Sequence, residues 1–231
     1  MIRTAAGIRT AAGAAAGVCF GWSMLVHLEA APRQPDVNHG AVIVAQGTPA
    51  GAQACAQCHA FNGASDGSGA FPRIAGQSAF YLAKELREYA ADVRSNAIMS
   101  PIAAALTPDD IDDVSAYYAT VSAPFLPLSA NTALVKRGAE LAKVGNAQRR
   151  IQACDNCHGP GGVGEPPAIP YLAGQYGRYI EFQLQMWQSG IRKNSQGAMA
   201  LLAKELDGED IAAVAAYYQQ VRATAIVASK N

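Results

Sequence analysis

The sequence predicts an all-α protein made of two copies of one lobe in tandem, preceded by an N-terminal signal or anchor helix. Three observations predict it. The chain matches itself at an offset near 100 residues along most of its length. Apolar residues in both copies recur at helical spacing between cap residues. No alternating pattern of the kind a half-buried strand needs competes with them.

At the N-terminus, Arg3 and Arg9 precede an Ala-rich apolar run from about Ala11 to Leu28, closed by Pro32, Arg33 and Pro35. A basic start before an apolar stretch is the layout of an export signal, yet a run of about 18 residues is also near the minimum for a membrane span. Cleavage after Ala30 or Ala31 would leave Leu28 or Glu29 where a small residue belongs. Two readings stand: a cleaved signal releasing a soluble periplasmic protein, or an inner-membrane anchor at about residues 11–28. Cys19, preceded by Val18, reads as a small apolar residue of that run.

The repeat then sets the organisation. Gly40–Gly47 matches Gly138–Gly145, Cys55–His59 matches Cys154–His158, Pro72–Gln77 matches Pro170–Gln175, Met99 matches Met199, and Tyr117-Tyr118 matches Tyr217-Tyr218. Offsets drift between 98 and 100, as short loop insertions in a duplicated domain would produce. Leu82, Leu86, Tyr89 and Val93 line one helix face, repeated by Ile180, Leu184, Trp187 and Ile191. Ile111, Val114, Tyr118 and Val121 form a last helix, repeated by Ile211, Val214, Tyr218 and Val221. Thr107-Pro108-Asp109-Asp110 caps the first of these, and Asp207 with Asp210 caps the second. Two prolines in Ser122–Ser129 suit a semi-rigid connector. The domains are therefore 1–35, signal or anchor; 36–121, first lobe; 122–132, linker; and 133–231, second lobe. Such small helical lobes have modest cores, which a large buried cofactor would complete.

Composition narrows the function. Of 231 residues, half are hydrophobic and 16% charged, and 18 basic residues balance 18 acidic ones. No overall basic field exists to hold nucleic acid. The balance is uneven, however: residues 36–121 carry four basic and nine acidic residues, and residues 122–231 carry eleven basic and eight acidic. Such a dipole orients encounters with charged partners, unless Asp109, Asp110, Asp112 and Asp113 only decorate an exposed helix start.

Four of the five cysteines fall in two identical patterns, Cys55-Ala-Gln-Cys58-His59 and Cys154-Asp-Asn-Cys157-His158. CxxCH is the attachment signature of c-type haem. Two cysteines on one helical turn each form a thioether, and the adjacent histidine lies beneath the iron as an axial ligand. Zinc knuckles are the alternative, disfavoured by the long separation of the pairs and the immediate histidine. A thioredoxin-like pair would need βαβ surroundings.

The sixth ligand follows by elimination. Outside the motifs only His27 and His39 remain, and the second lobe has no spare histidine, so methionine sulfur is the candidate. Met99 and Met199 are repeat-equivalent and lie in loop-like stretches before the last helices, with an ordinary core role as their alternative; Met186, the competing sulfur of the second lobe, sits inside a helical pattern with no partner in the first lobe and reads as core filling. An iron-bound histidine donates its second ring N–H to an acceptor, and the carbonyls of Pro72 and Pro170 are candidates unless these prolines only stiffen a loop. Ile74 and Leu172 would pack on the haem faces.

This order of elements resembles the small class I cytochrome c domain. Two in tandem, with Phe-Pro-Arg-Ile-Ala-Gly-Gln, Met-Ser-Pro-Ile-Ala and Ala-Tyr-Tyr-Ala, resemble the two-haem cytochrome c4 family over about residues 38–222. The resemblance implies two pseudo-twofold related domains with haem edges facing each other. It implies two covalent haem c groups, held by Cys55, Cys58, His59 and Met99 and by Cys154, Cys157, His158 and Met199. It places the proline acceptors at Pro72 and Pro170, and Gly40 and Gly138 where first and last helices cross. The second lobe departs from the pattern with Met199-Ala-Leu in place of Met99-Ser-Pro.

The expected function is a periplasmic electron carrier without a substrate of its own, and the resemblance implies a quinol-oxidising complex as its donor of single electrons and a terminal oxidase or other protein as acceptor. The alternative is the cytochrome subunit of a periplasmic dehydrogenase, for example a flavoprotein sulfide dehydrogenase or an alcohol dehydrogenase. A dihaem peroxidase would need an open iron position that Met99 and Met199 would fill. Partners are redox proteins rather than nucleic acid, with membrane contact through the N-terminal segment.

Overall fold

Asp36 starts the first copy: its carboxylate accepts the N–H groups of Asn38 and His39 and caps helix α1, Val37–Gln46. The computed structural model describes Met1 and residues 33–222. The expected signal or anchor helix, Cys19, His27 and the end of the second lobe beyond residue 222 lie outside the described residues.

The rest of the first copy is α2 (Ala56–His59), α3 (Ala79–Ala90), α4 (Met99–Ala104) and α5 (Pro108–Thr120). The second copy repeats the order as α6 (Thr132–Lys143), α7 (Asp155–His158), α8 (Gly177–Gln188), α9 (Ala198–Lys204) and α10 (Gly208–Gln220), with 3-10 turns at Ala147–Arg149 and Pro160–Gly162. The described residues contain isolated bridges but no strand. Both last helices open with a reciprocal capping box, Thr107 with Asp110 and Asp207 with Asp210. None of the described helices is long and apolar enough to cross a membrane.

In each copy the first helix packs on the last, α1 on α5 and α6 on α10. The crossing is permitted by glycine. A Cβ at Gly40 would lie 2.2 Å from the carbonyl oxygen of Asp113, and one at Gly138 would lie 2.0 Å from that of Ala213. These are the positions the family resemblance implies. Ile43, Val44, Val114, Tyr117 and Tyr118 form the core of the first copy. A larger cluster, including Leu141, Ile180, Leu184, Trp187, Ile211, Val214, Tyr217 and Tyr218, forms that of the second.

Two expectations need correction. Val93 and Ile191 do not continue the apolar faces of α3 and α8; both are exposed, because the backbone turns left-handed at Asp92 (φ 56°) and Gly190 (φ 71°) and ends each helix first. Asp113 does not decorate an exposed helix start. It is fully buried and accepts from the N–H of Asp36 at 2.7 Å, with Nδ1 of His39 at 2.8 Å, tying the start of α1 to α5.

From Gln34 onward the chain packs as one unit, so the two copies share a boundary. The connector is pinned there: the Arg73 guanidinium donates to the carbonyls of Ala123 at 2.8 Å and Pro124 at 3.4 Å and lies over the Phe125 ring.

Candidate functional site

Each CxxCH motif forms a single helical turn. His59 N–H donates to the Cys55 carbonyl at 2.9 Å, and His158 N–H donates to that of Cys154 at 2.9 Å. A residue with positive φ follows at once, Ala60 (60°) in the first copy and Gly159 (73°) in the second. Ala60 tolerates this conformation because its carbonyl is held by the Tyr118 hydroxyl at 3.1 Å. In the second copy the equivalent Tyr218 hydroxyl donates to Asp155 at 2.8 Å, inside the motif itself. Among the described residues no cysteine is in a disulfide.

Both histidines are buried, with their Nδ1 atoms facing proline carbonyls: His59 to Pro72 at 3.2 Å and His158 to Pro170 at 3.0 Å. A carbonyl only accepts, so each Nδ1 carries the proton and each Nε2 keeps its lone pair. Burial lowers the affinity of both rings for a second proton, and the proline carbonyls offset this in part. The result is a neutral imidazole with one oriented donor atom, the form a metal ion needs. Burial also pushes the Cys55 and Cys154 thiols up to about 11.

Ile74, Leu82 and Leu86 pack with Cys55 against the first core. Leu172 and Met199 pack with Cys154 against the second. Met99 and Met199 are both half-buried, but not in loops: each lies in the first turn of a short helix, α4 or α9. Side chains upstream substitute for a cap. Asn96 accepts the Met99 N–H at 2.9 Å and Ser195 accepts that of Met199 at 3.2 Å. Met186, the competing sulfur, is half-buried on α8.

The residues present fit a haem in each copy. Two thiols and a lone-pair imidazole share one turn, with apolar side chains and a thioether sulfur in the same lobe. A further observation agrees. The indole N–H of Trp187, buried in the cluster that holds Cys154 and Met199, has no protein acceptor. An orphaned donor costs about 1–3 kcal/mol, and a cofactor bearing carboxylates would supply the acceptor.

The polar groups between the copies belong to no recognisable motif. Glu85, Arg94, Gln183 and Arg192 are all buried there, and Gln77 and Gln175 reach across to backbone of the opposite copy. Their one sequence signal is repetition: Arg94 with Arg192, Tyr81 with Tyr179 and Gln77 with Gln175 stand at an offset of 98.

A family model described as cytochrome c matches residues 44–122, and one described as cytochrome c oxidase, cbb3-type, subunit III matches residues 140–217. The thiosulfate dehydrogenase electron acceptor of Stutzerimonas stutzeri is 38% identical over 81% of this chain and 88% of its own. Cytochrome c4 of Pseudomonas aeruginosa is 34% identical over 73% and 84%. The crystal structure of reduced cytochrome c4 from Pseudomonas stutzeri superposes with a TM-score of 0.73 at 29% identity, covering 81% of this chain and all of that one. A structure described as thiosulfate dehydrogenase (TsdBA) from Marichromatium purpuratum matches with a TM-score of 0.74 at 38% identity over 80% of this chain, which spans only 40% of that longer one. With its two tandem cytochrome c domains and two covalently attached haem c groups, the chain belongs to the cytochrome c4 family of electron carriers.

Proposed function

We propose that this protein is a periplasmic carrier that takes single electrons from a thiosulfate-oxidising dehydrogenase and passes them to a terminal oxidase or another redox acceptor. The observation that carries this reading is its 38% identity to the thiosulfate dehydrogenase electron acceptor, spanning 88% of that protein. The alignment with part of a chain described as thiosulfate dehydrogenase supports it. A second reading has a quinol-oxidising complex as donor, as the resemblance to the cytochrome c4 family implies; relatives named cytochrome c4 are 34–36% identical. Export to the periplasm is supported by the basic start and apolar run before residue 32.

In this reading Cys55 and Cys58 anchor one haem and Cys154 and Cys157 the other. His59 with Met99, and His158 with Met199, would supply the ligands to the two irons. When bound, each haem iron holds or releases one electron. The protein's part is to fix the imidazole tautomer through Pro72 and Pro170, to keep water off the iron with Ile74 and Leu172, and to raise the potential through methionine sulfur. No side chain is needed for proton transfer or nucleophilic attack.

The test is reduction of the oxidised holoprotein by a purified thiosulfate dehydrogenase with thiosulfate, against reduction by a quinol-oxidising complex with quinol. Fast reduction of both haems by the dehydrogenase supports the proposal. Fast reduction by the quinol system alone replaces it with the second reading.

A further inference from the structure

Each CxxCH histidine is connected to the opposite copy through one peptide group. The Pro72 carbonyl, which faces His59 Nδ1 at 3.2 Å, shares its peptide unit with the N–H of Arg73, and that N–H donates to Oε1 of Gln175 at 2.9 Å. The second copy repeats the arrangement in reverse. The Pro170 carbonyl faces His158 Nδ1 at 3.0 Å, and the N–H of the same peptide, on Tyr171, donates to Oε1 of Gln77 at 3.1 Å. Each glutamine closes a second bond onto the residue it accepts from: Gln175 Nε2 to the Arg73 carbonyl at 2.8 Å, and Gln77 Nε2 to the Tyr171 carbonyl at 3.1 Å. Arg73, Gln77 and Gln175 are 9%, 6% and 7% exposed, so water competes little for these bonds.

A peptide group polarises as a whole. An acceptor on its N–H draws electron density onto its carbonyl oxygen, and hydrogen bonds in such chains strengthen one another in a low dielectric. A stronger carbonyl acceptor draws the Nδ1 proton further from the ring. The ring then becomes more basic at Nε2, a better ligand for ferric than for ferrous iron. Each Oε1 also accepts the N–H of the next residue in its own copy, Ser78 at 3.1 Å and Tyr176 at 3.0 Å, while its bond across the boundary falls in both copies on the peptide that orients a histidine.

We propose that Gln77 and Gln175 are crossed positioning residues, each setting the ligand strength of the histidine in the opposite lobe, so that the potential of one haem is tuned by a side chain of its neighbour. The proposal rests on His59 and His158 being axial ligands and goes beyond that reading.

The test uses holoprotein carrying Gln175→Leu or Gln77→Leu, with each haem followed by its own NMR resonances during a redox titration. Gln175→Leu should raise the potential of the His59 haem, changing its ferric-to-ferrous ratio at fixed ambient potential by roughly threefold to tenfold, below the 10–100-fold typical of direct outer partners. The His158 haem should stay where it was. Gln77→Leu should do the reverse. A shift of the haem in the mutated lobe, an equal shift of both, or no shift overturns the proposal. Should neither variant fold, the reduced wild-type protein still decides. Scalar coupling across the hydrogen bond from the Arg73 amide nitrogen to the Gln175 side-chain carbonyl carbon, and likewise from Tyr171 to Gln77, supports the proposal, and its absence overturns it. A failure of the ligand reading looks different: His59→Ala would then leave both haems low-spin.

Discussion

Arg192 of the second lobe meets Glu85 of the first across their shared boundary, Nη2 to Oε2 at 3.1 Å, with both side chains less than 10% exposed. Arg94 binds the same carboxylate from the first lobe and also donates to Gln183 Oε1 at 2.8 Å, which Arg192 meets at 2.7 Å. Glu85 and Gln183 are repeat-equivalent, so the near-symmetric cluster holds two guanidinium groups and one central carboxylate. Each guanidinium also lies over an aromatic ring, Arg94 over Tyr89 at 4.6 Å and Arg192 over Trp187 at 4.0 Å.

Glu85→Gln should therefore destabilise the folded holoprotein by about 3–5 kcal/mol, because it leaves two buried guanidinium groups without a counter-charge. Denaturant unfolding followed at the haem band measures this. A loss below about 1 kcal/mol would mean that water already reaches the cluster.

The same residue makes stability depend on acid. Burial pushes the Glu85 carboxyl up from its ordinary 4.5, but the charges of Arg94, Arg192 and Lys84 outweigh burial and hold it below that value. A depressed folded value means that the contribution is complete above pH 4.5 and is lost as pH falls through the lower folded value. Between neutral pH and about pH 3, the denaturant midpoint of the wild type should fall further than that of Glu85→Gln.

Gly40→Ala and Gly138→Ala should each destabilise one lobe by about 1–3 kcal/mol or more, since the new methyl meets helix backbone that has no rotamer to change. The second should cost more. Its Cβ would also lie 2.8 Å from Cβ of Tyr217, against 3.1 Å from that of Tyr117 in the first lobe. Thermal melting of the holoproteins, read as Tm, ranks the two.

Met99→Ala and Met199→Ala should each open one of the two irons. In each variant one haem equivalent becomes reactive to carbon monoxide and its potential falls, while Met186→Ala leaves the spectrum unchanged. The unmodified protein should stay low-spin and indifferent to carbon monoxide. Reaction of one of its haems would reopen peroxidase-like chemistry.

Reduction by a charged partner should slow severalfold between about 50 and 200 mM salt, since the lobes carry opposite net charge. Stopped-flow rates at several ionic strengths measure the slope.

The repeat, the helix caps and the chemistry of the two CxxCH turns are all legible in the amino-acid sequence. These depend on residues within a few positions of one another, where backbone geometry leaves few choices. The placement of Pro72 and Pro170 near the histidines was also legible, because the same spacing occurs twice. Helix ends at Asp92 and Gly190 were not, since apolar spacing continues past them to Val93 and Ile191. Nor was the fate of Asp113, which reads like its exposed neighbours until α1 packs over it. That Gln77 and Gln175 cross between lobes, and that Glu85 is shared by two arginines, emerges once the two lobes pack together. Polar contacts over 94, 102 and 107 residues of chain leave no local pattern. They exist because burial of both lobe faces makes an unpartnered polar group there costly.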